Sequence, residues 1–318
     1  MTVIDPALLH PAAADPETLA IARDLEARLA GAPSMHTLPV PLIRAARESG
    51  QSLWGPIVRR ADAVEETIAG PGGPLVLRIL APANPRGVYL HFHGGGYALG
   101  AAHHADVRNG AIADQLGIAV VSVEYRLAPE HPWPAAYEDA EAAALWLVTH
   151  GPSRFGTDRY AVGGDSAGAT LALAALLRLR DRHGLAGAFR AANLVYGVYD
   201  MRLTPGARNW GPRNLVLSTP IMAWFVAMFV PDPAMRDTPE ASPILADLAG
   251  MPECLLSVGT LDPLLEDTLN LHARLAIAGV KTDLRVEPGA VHGFNALGGA
   301  AAGRANAAID AFLARTIG

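Results

Sequence analysis

The sequence predicts an α/β fold built on a mostly parallel, doubly wound sheet of eight strands. From about residue 57 onward, short apolar segments of strand length alternate with longer segments of good helix formers. Hydrophobic residues make up 51% of the 318 positions and charged residues only 18%, so the chain can fill a large core. In such a sheet helices cover both faces, and a ligand binds beyond the C-terminal ends of the strands.

Eight strands and five helices follow from this alternation. The first two strands are joined by Gly70–Pro74, which is too short for a helical crossover, so we expect them to be antiparallel. The predicted strands are Ile57–Ala69, Leu75–Leu80, Gly87–Phe92, Ile118–Tyr125, Tyr160–Gly163, Ala192–Tyr199, Glu253–Val258 and Lys281–Val286. The predicted helices are Ala105–Leu116, Ala135–His150, Ala167–Arg182, Leu264–Ala278 and Gly303–Thr316.

Two segments fall outside the alternation. Residues 1–50 contain two helical stretches, Pro16–Ala30 and Pro39–Ser49, and residues 201–250 form a long insertion rich in Pro, Trp and Met. In compact domains, insertions of that length are usually functional lids. We expect 1–50 and 201–250 to form the two parts of an α-helical cap. The core would then consist of residues 51–200 and 251–318.

The most informative motif is Gly164-Asp165-Ser166-Ala167-Gly168, a G-x-S-x-G pattern. An apolar strand precedes it and a helix follows, which is the context of a nucleophile elbow. A serine held at strained backbone angles needs small neighbours two positions to either side, because a β-carbon there would collide with adjoining elements. Ser166 is therefore the candidate nucleophile.

A nucleophilic serine also requires an oxyanion hole, a general base and a group that orients the base. His93-Gly94-Gly95-Gly96-Tyr97 directly follows a predicted strand, and its glycines let backbone N–H groups point at a single oxygen. His93 itself is expected to hold the loop by hydrogen bonding. His292, after the last predicted strand, is the candidate base. Asp262, after the seventh, is the candidate orienting group and also suits the N-cap of the next helix.

These motifs together resemble a known family. The chain order Ser166, Asp262, His292 is that of the α/β-hydrolases. From about residue 57 to its end, the sequence resembles the hormone-sensitive lipase-like esterases, bacterial family IV of the lipolytic enzymes. The segment Glu124–Ala136 is similar to a hallmark of that family, where it braces the helix that leads to the elbow. The resemblance implies an α/β-hydrolase fold with an α-helical cap.

The resemblance also implies a function, that of a serine carboxylesterase for short-chain acyl esters. Ser166 would attack the ester carbonyl, His292 would transfer the proton and Asp262 would hold the imidazole, with an acyl-enzyme as intermediate. The oxyanion hole would consist of the N–H groups of Gly94, Gly95 and Ala167. The side chains expected to line the substrate pocket are Tyr97, Trp210, Met222, Trp224, Phe225 and Phe294. No cofactor is implied, the partner is a small-molecule ester, and many members are homodimers.

Composition argues against several other classes of protein. The net charge of −6, without a Lys/Arg cluster, offers no surface for nucleic acid. The apolar run Ile221–Val230 is about half as long as a membrane span, so we expect a buried or lid helix and no stable membrane association. The single cysteine, Cys254, cannot form an internal disulfide. No signal peptide is visible, which favours a cytoplasmic protein.

A metal centre is not expected either. The sequence has no His-Glu-x-x-His motif, no cysteine pair and no dense Asp/His cluster. His91, His93, His103 and His104 are expected to frame the oxyanion loop and not to bind zinc.

Two alternative functions use the same fold. An amide or formamide hydrolase, resembling an arylformamidase, could use the same triad, although ester chemistry is easier for it. A non-catalytic small-ligand receptor is the other alternative. The plant gibberellin receptors resemble this family but lack the catalytic histidine, so His292 argues against that function.

Overall fold

The computed structural model describes residues 4–318, which form a sheet of eight strands. The strands are β1 (Val64–Gly70), β2 (Gly73–Leu80), β3 (Val88–Phe92), β4 (Ala119–Glu124), β5 (Tyr160–Asp165), β6 (Ala191–Val195), β7 (Glu253–Leu261) and β8 (Thr282–Val291). They lie side by side in the order β1-β2-β4-β3-β5-β6-β7-β8. β2 is antiparallel to both β1 and β4, and the other neighbours are parallel. The predicted sheet, with its antiparallel first pair, is confirmed.

Helices cover both faces of this sheet. Those within residues 4–318 are α1 (Pro6–Leu9), α2 (Pro16–Ala30), α3 (Val40–Glu48), α4 (Asp106–Leu116), α5 (Ala135–Phe155), α6 (Ala167–His183), α7 (Pro205–Asn209), α8 (Thr219–Phe229), α9 (Leu265–Ile277) and α10 (Gly299–Thr316). Alternate residues of β3 show the two layers. Leu90 and Phe92 belong to the buried cluster that includes residues of α5, α6 and α9, whereas Tyr89 belongs to the cluster that includes residues of α4 and α10. All five residues of β3 are buried, as expected for a strand covered on both sides.

Several predicted strand ends differ from the observed ones. The first predicted strand began at Ile57, but β1 starts at Val64, because the preceding loop bonds elsewhere: the Arg60 N–H donates to Asp106 (2.8 Å). The last predicted strand ended at Val286, yet β8 continues through Pro288-Gly289 to Val291 beside β7. Pairing with a neighbouring strand has overridden the local turn signal here.

The two segments outside the alternation contain helices, as predicted, but they pack in different places. α2 lies against β8 and α10 at one edge of the sheet. α3 and the insertion helix α8 lie above the C-terminal ends of the strands, where both contribute side chains to a cavity. Residues 1–3 of the predicted cap segment lie outside the described residues. No helix in the described part of the chain is long and apolar enough to cross a membrane.

Candidate active site

The candidate nucleophile Ser166 occupies a tight turn between β5 and α6. Its backbone has φ 54° and ψ −120°, a conformation that non-glycine residues rarely adopt. Its N–H donates to the carbonyl of Val195 at 2.9 Å, which ties the turn to the end of β6. A conformation of this kind costs about 1–3 kcal/mol and persists only where surrounding structure enforces it.

The glycines on either side of Ser166 explain why the turn can be so tight. A β-carbon at Gly164 would lie 2.1 Å from the carbonyl oxygen of Phe92, and one at Gly168 would lie 1.9 Å from the same oxygen. Both distances are far below van der Waals contact. The G-x-S-x-G spacing therefore lets β5 and α6 approach the end of β3, as the steric requirement for small neighbours predicts.

The structure brings Ser166, His292 and Asp262 together in a chain of hydrogen bonds. Each residue follows the C-terminal end of a parallel strand: β5, β8 and β7 respectively. With the imidazole proton on Nδ1, His292 donates to Asp262 Oδ2 at 2.8 Å, and Ser166 Oγ donates to Nε2 at 3.0 Å. Asp262 is 1% exposed and its Oδ1 accepts the N–H of Leu264 at 2.9 Å, so the carboxylate is fixed from both sides.

The three predicted oxyanion donors lie next to the serine. A β-carbon at Gly94 would be 3.5 Å from Ser166 Cβ, so the glycine loop passes directly beside the elbow. Gly95 has φ 125°, which favours glycine, and Ala167 is the first residue of α6. Within residues 4–318, the N–H groups of Gly94, Gly95 and Ala167 donate to no protein acceptor. They are therefore available to a substrate oxygen.

Comparisons with known proteins show the family to which the chain belongs. A family model described as the α/β-hydrolase fold matches residues 89–296. Esterase LipI of Mycobacterium tuberculosis is 36% identical over 243 residues, covering 73% of this chain and 74% of LipI. The ethyl acetate hydrolase of Pseudomonas putida is 34% identical over 221 residues, covering 68% and 69% of the two chains. The chain belongs to the family IV esterases of the α/β-hydrolase superfamily.

Solved esterase structures share almost the whole of this fold. The esterase of Pyrobaculum calidifontis superposes with a TM-score of 0.83 at 29% sequence identity, covering 95% of this chain and 98% of that one. The similarity therefore extends over almost the whole chain and not only over the sheet. The protein is a carboxylic ester hydrolase.

In this esterase, His93 holds the glycine loop by hydrogen bonding, as expected from the sequence. Its Nδ1–H donates to the carbonyl of Gly94 at 2.8 Å, and its ring stacks on Tyr125 with centroids 4.2 Å apart. The Tyr125 O–H donates to the His93 carbonyl at 2.8 Å. Burial lowers the pKa of His93 to about 3, so the imidazole is neutral near pH 7.

The segment Glu124–Ala136 braces α5, in agreement with the role that the family resemblance implies. The Arg126 N–H donates to Asp139 Oδ2 at 2.8 Å, and its guanidinium bonds the same carboxylate at 3.0 Å. Its Nη2 donates to the carbonyl of Ala135 at 3.0 Å. Because Asp139 is buried in α5, this ion pair fixes the start of the helix that precedes β5 and the elbow.

A cavity of about 420 Å³ opens beside Ser166 and His292. Tyr97, Met222 and Phe225 line it, as predicted. Phe225 lies directly over the glycine loop, since a β-carbon at Gly96 would meet its ring at 2.3 Å. Most of the other lining side chains are apolar. α3 and the segment that follows it supply further walls.

Three of the aromatic residues predicted to line the pocket do not do so. Trp210 packs on the insertion: its indole N–H donates to the Arg213 carbonyl at 2.8 Å, and the Arg213 side chain pairs with Glu26 of α2. Trp224 lies on α8 outside the cavity lining. Phe294 is buried on the side of the sheet that α10 covers, edge-on to Tyr196 at 5.8 Å. None of these three side chains forms a wall of the cavity.

Other residues beside the triad were not identified from the sequence. A β-carbon at Gly293 would lie 2.3 Å from the indole of Trp54, so this tryptophan covers the turn after His292. Asn295 donates to Asp165 Oδ1 at 3.1 Å and accepts the O–H of Tyr196. The histidine loop is thus bonded to both β5 and β6. No local pattern marks these residues, because their partners lie about 100 or more positions away in the chain.

One group of side chains in the described structure has the geometry to hold a metal ion, and it lies apart from the triad. It consists of Glu48, His103 and His104, whose ligand atoms lie within 4.8 Å of one another. The expectation that His103 and His104 frame the oxyanion loop and do not bind zinc stays a prediction, to be tested at this group.

Proposed function

We propose that this esterase hydrolyses short-chain acyl esters by covalent catalysis, with Ser166 as nucleophile, His292 as general base and acid, and Asp262 as the group that orients the histidine. The observation that carries the proposal is the continuous hydrogen-bonded chain from Asp262 Oδ2 through His292 to Ser166 Oγ, at 2.8 and 3.0 Å. Both distances are within the range needed for proton transfer.

The reaction has two steps, acylation of Ser166 and hydrolysis of the acyl-enzyme. Ser166 Oγ attacks the ester carbonyl carbon while His292 Nε2 takes the hydroxyl proton, and the negative oxygen binds the N–H groups of Gly94, Gly95 and Ala167. The tetrahedral intermediate collapses, the bond to the alcohol breaks, and His292 returns the proton to the leaving alcohol. In the second step, water attacks the carbonyl carbon of the acyl-enzyme while His292 Nε2 takes its proton. The bond to Ser166 Oγ then breaks, His292 returns the proton to Oγ, and the carboxylic acid leaves.

The short acyl preference is inferred from the walls of the cavity. About 420 Å³ must hold both the acyl and the alcohol groups, and Phe225 lies against Gly96 beside the oxyanion loop. We propose that α3 and α8 act as the cap that closes this space and limits acyl length. One relative is named an ethyl acetate hydrolase, which is consistent with a small substrate.

A series of p-nitrophenyl esters from acetyl to dodecanoyl tests the proposal. We expect kcat/KM to be highest between acetyl and hexanoyl and to fall steeply by dodecanoyl. Phe225→Ala should shift the maximum to longer chains, because it removes a wall of the cavity. Trp224→Ala is the matched control: it truncates the adjacent aromatic residue outside the cavity and should leave the maximum in place.

Parallel rates on N-formylkynurenine separate ester from formamide hydrolysis. The proposal predicts that kcat/KM on the best ester exceeds that on the formamide by at least tenfold. A wild-type enzyme that prefers dodecanoyl esters, or that hydrolyses N-formylkynurenine faster than any ester, contradicts it.

A further inference from the structure

Three potential metal ligands from separate parts of the chain converge at the mouth of the cavity. Glu48 is the last residue of α3, and His103 and His104 lie in the 3-10 turn Ala102–Ala105 that follows the oxyanion loop. The Nε2 atoms of His103 and His104 are 3.1 and 3.2 Å from the same carboxylate oxygen, Glu48 Oε2. The two rings meet edge to face, with centroids 4.5 Å apart.

We propose that Glu48, His103 and His104 bind a divalent zinc ion, with water as the fourth ligand. Imidazole nitrogen and carboxylate oxygen are preferred ligands of Zn²⁺, at bond lengths of about 2.0–2.2 Å. Tetrahedral ligands at those lengths stand roughly 3.3 Å apart. The separations of the two Nε2 atoms from Glu48 Oε2, 3.1 and 3.2 Å, are close to that value.

His103 Nε2 cannot form hydrogen bonds with both of its neighbours at once. His103 Nε2 lies 3.0 Å from Arg59 Nη2 and 3.1 Å from Glu48 Oε2. A guanidinium can only donate and a carboxylate can only accept, so a single nitrogen cannot serve both. An unprotonated Nε2 faces a carboxylate oxygen, and a protonated one faces the arginine cation. A cation bound between His103 and Glu48, with the Arg59 side chain turned into solvent, removes this conflict, because both ligand atoms then direct lone pairs at the ion.

The charges around the group are mixed, and Arg59 is the competitor for its ligands. Glu48 and His103 are the only partners of the Arg59 guanidinium within residues 4–318, and 54% of its side chain is exposed, so it can turn into solvent. The positive charge of Arg47 is close enough to His104 to interact with it. The negative charge of Glu124 interacts with both His103 and Glu48.

The position of the group indicates what the ion would do. Glu48 belongs to α3, which lines the cavity, while the histidines follow the oxyanion loop. A shared ion would cross-link this cap helix to the core at the mouth of the cavity. It would not touch the triad, so its role is to stabilise the closed wall and not to perform the chemistry.

Metal titration of the untagged, chelator-treated full-length protein tests the proposal. We expect calorimetry with ZnCl₂ to give one ion per chain, and Co²⁺ to give the visible absorption of a tetrahedral site. Glu48→Gln and His104→Gln should each weaken Zn²⁺ binding at least tenfold. His150→Gln, which removes an exposed histidine elsewhere, is the control and should bind like wild type. Zn²⁺ should also raise the melting temperature of wild type but not of Glu48→Gln.

Arg59→Gln separates a metal site from a network of ion pairs. If Arg59 competes for the ligands, its removal should tighten Zn²⁺ binding by severalfold. The proposal is overturned if wild type takes up no stoichiometric zinc, if Glu48→Gln and His104→Gln bind like wild type, or if Arg59→Gln binds more weakly. Ser166→Ala should retain the binding, so these readouts are independent of the proposed catalytic roles.

Discussion

Backbone strain in this esterase is concentrated at single residues around the cavity. Within residues 4–318, five non-glycine residues have positive φ, and every one of them lines the cavity. They are Tyr97, Ser166, Tyr196, Leu203 and Val216. Strained conformations cluster where function requires a side chain to be aimed, since the surrounding structure must offset their cost. Their common location supports the cavity as the functional site independently of any motif.

The burial of one residue, His93, makes the stability of the protein depend on pH. Its pKa falls from 6.5 to about 3 on folding because it is buried, so below pH 6.5 the unfolded chain binds a proton that the folded protein does not. Above pH 6.5 this histidine is neutral in both states and takes nothing from the free energy of unfolding. As pH falls from 6.5 towards 3, protonation of the unfolded chain lowers that free energy. One such proton contributes about 1.4 kcal/mol per pH unit to the slope of the free energy of unfolding.

Urea denaturation at pH 4, 5 and 6 checks this effect in His93→Asn, which keeps an N–H donor for the Gly94 carbonyl. We expect the slope to flatten by about 1.4 kcal/mol per pH unit relative to wild type. Tyr125→Phe is the control, since it removes the adjacent hydroxyl but retains the imidazole, and its slope should stay steep. An unchanged slope in His93→Asn would mean that this histidine does not titrate differently in the two states.

At the scale of elements, the elbow depends on the close approach of α6 and β5 to the end of β3. Two glycines, Gly164 and Gly168, allow it, because the Phe92 carbonyl occupies the space of a side chain at either position. Sequence reasoning identified this contact correctly, because small residues two positions either side of a serine are typical of this turn where a strand precedes and a helix follows. It could not identify which carbonyl would be approached, since β3 lies about 70 residues earlier in the chain.

Replacing Gly168 with alanine tests that contact. The added β-carbon would meet backbone at 1.9 Å, so we expect a loss of about 3 kcal/mol or more in the free energy of unfolding, together with reduced activity. Gly303→Ala is the matched control within α10, where the new methyl group meets nothing within 4 Å. It should stabilise the protein by up to about 1 kcal/mol. Equal stabilities for the two variants, measured by chemical denaturation, would show that the elbow does not depend on this steric contact.

At the scale of the whole molecule, the sequence predicts the sheet well and the cavity walls poorly. The four ends of β3 and β4 lie within one residue of the predicted ends, because buried parallel strands are continuous apolar runs bounded by turns. The tryptophans show the limit. Trp54 covers the histidine loop while Trp210 packs on Arg213, yet nothing in their local sequence distinguishes them. Glu48 and His103 are likewise in contact although they lie 55 positions apart in the chain, and local sequence patterns do not predict such contacts.

Covalent labelling tests most directly whether Ser166 is the nucleophile. In reaction with a fluorophosphonate, Ser166 Oγ should displace fluoride from phosphorus, and peptide mass spectrometry should find one adduct per chain, on Ser166, as esterase activity disappears. Ser166→Ala, with an unchanged circular dichroism spectrum, should take up no label and lose turnover by a factor on the order of 10⁴ or more. A label on another residue, or a Ser166→Ala variant that keeps activity within tenfold of wild type, would contradict the account.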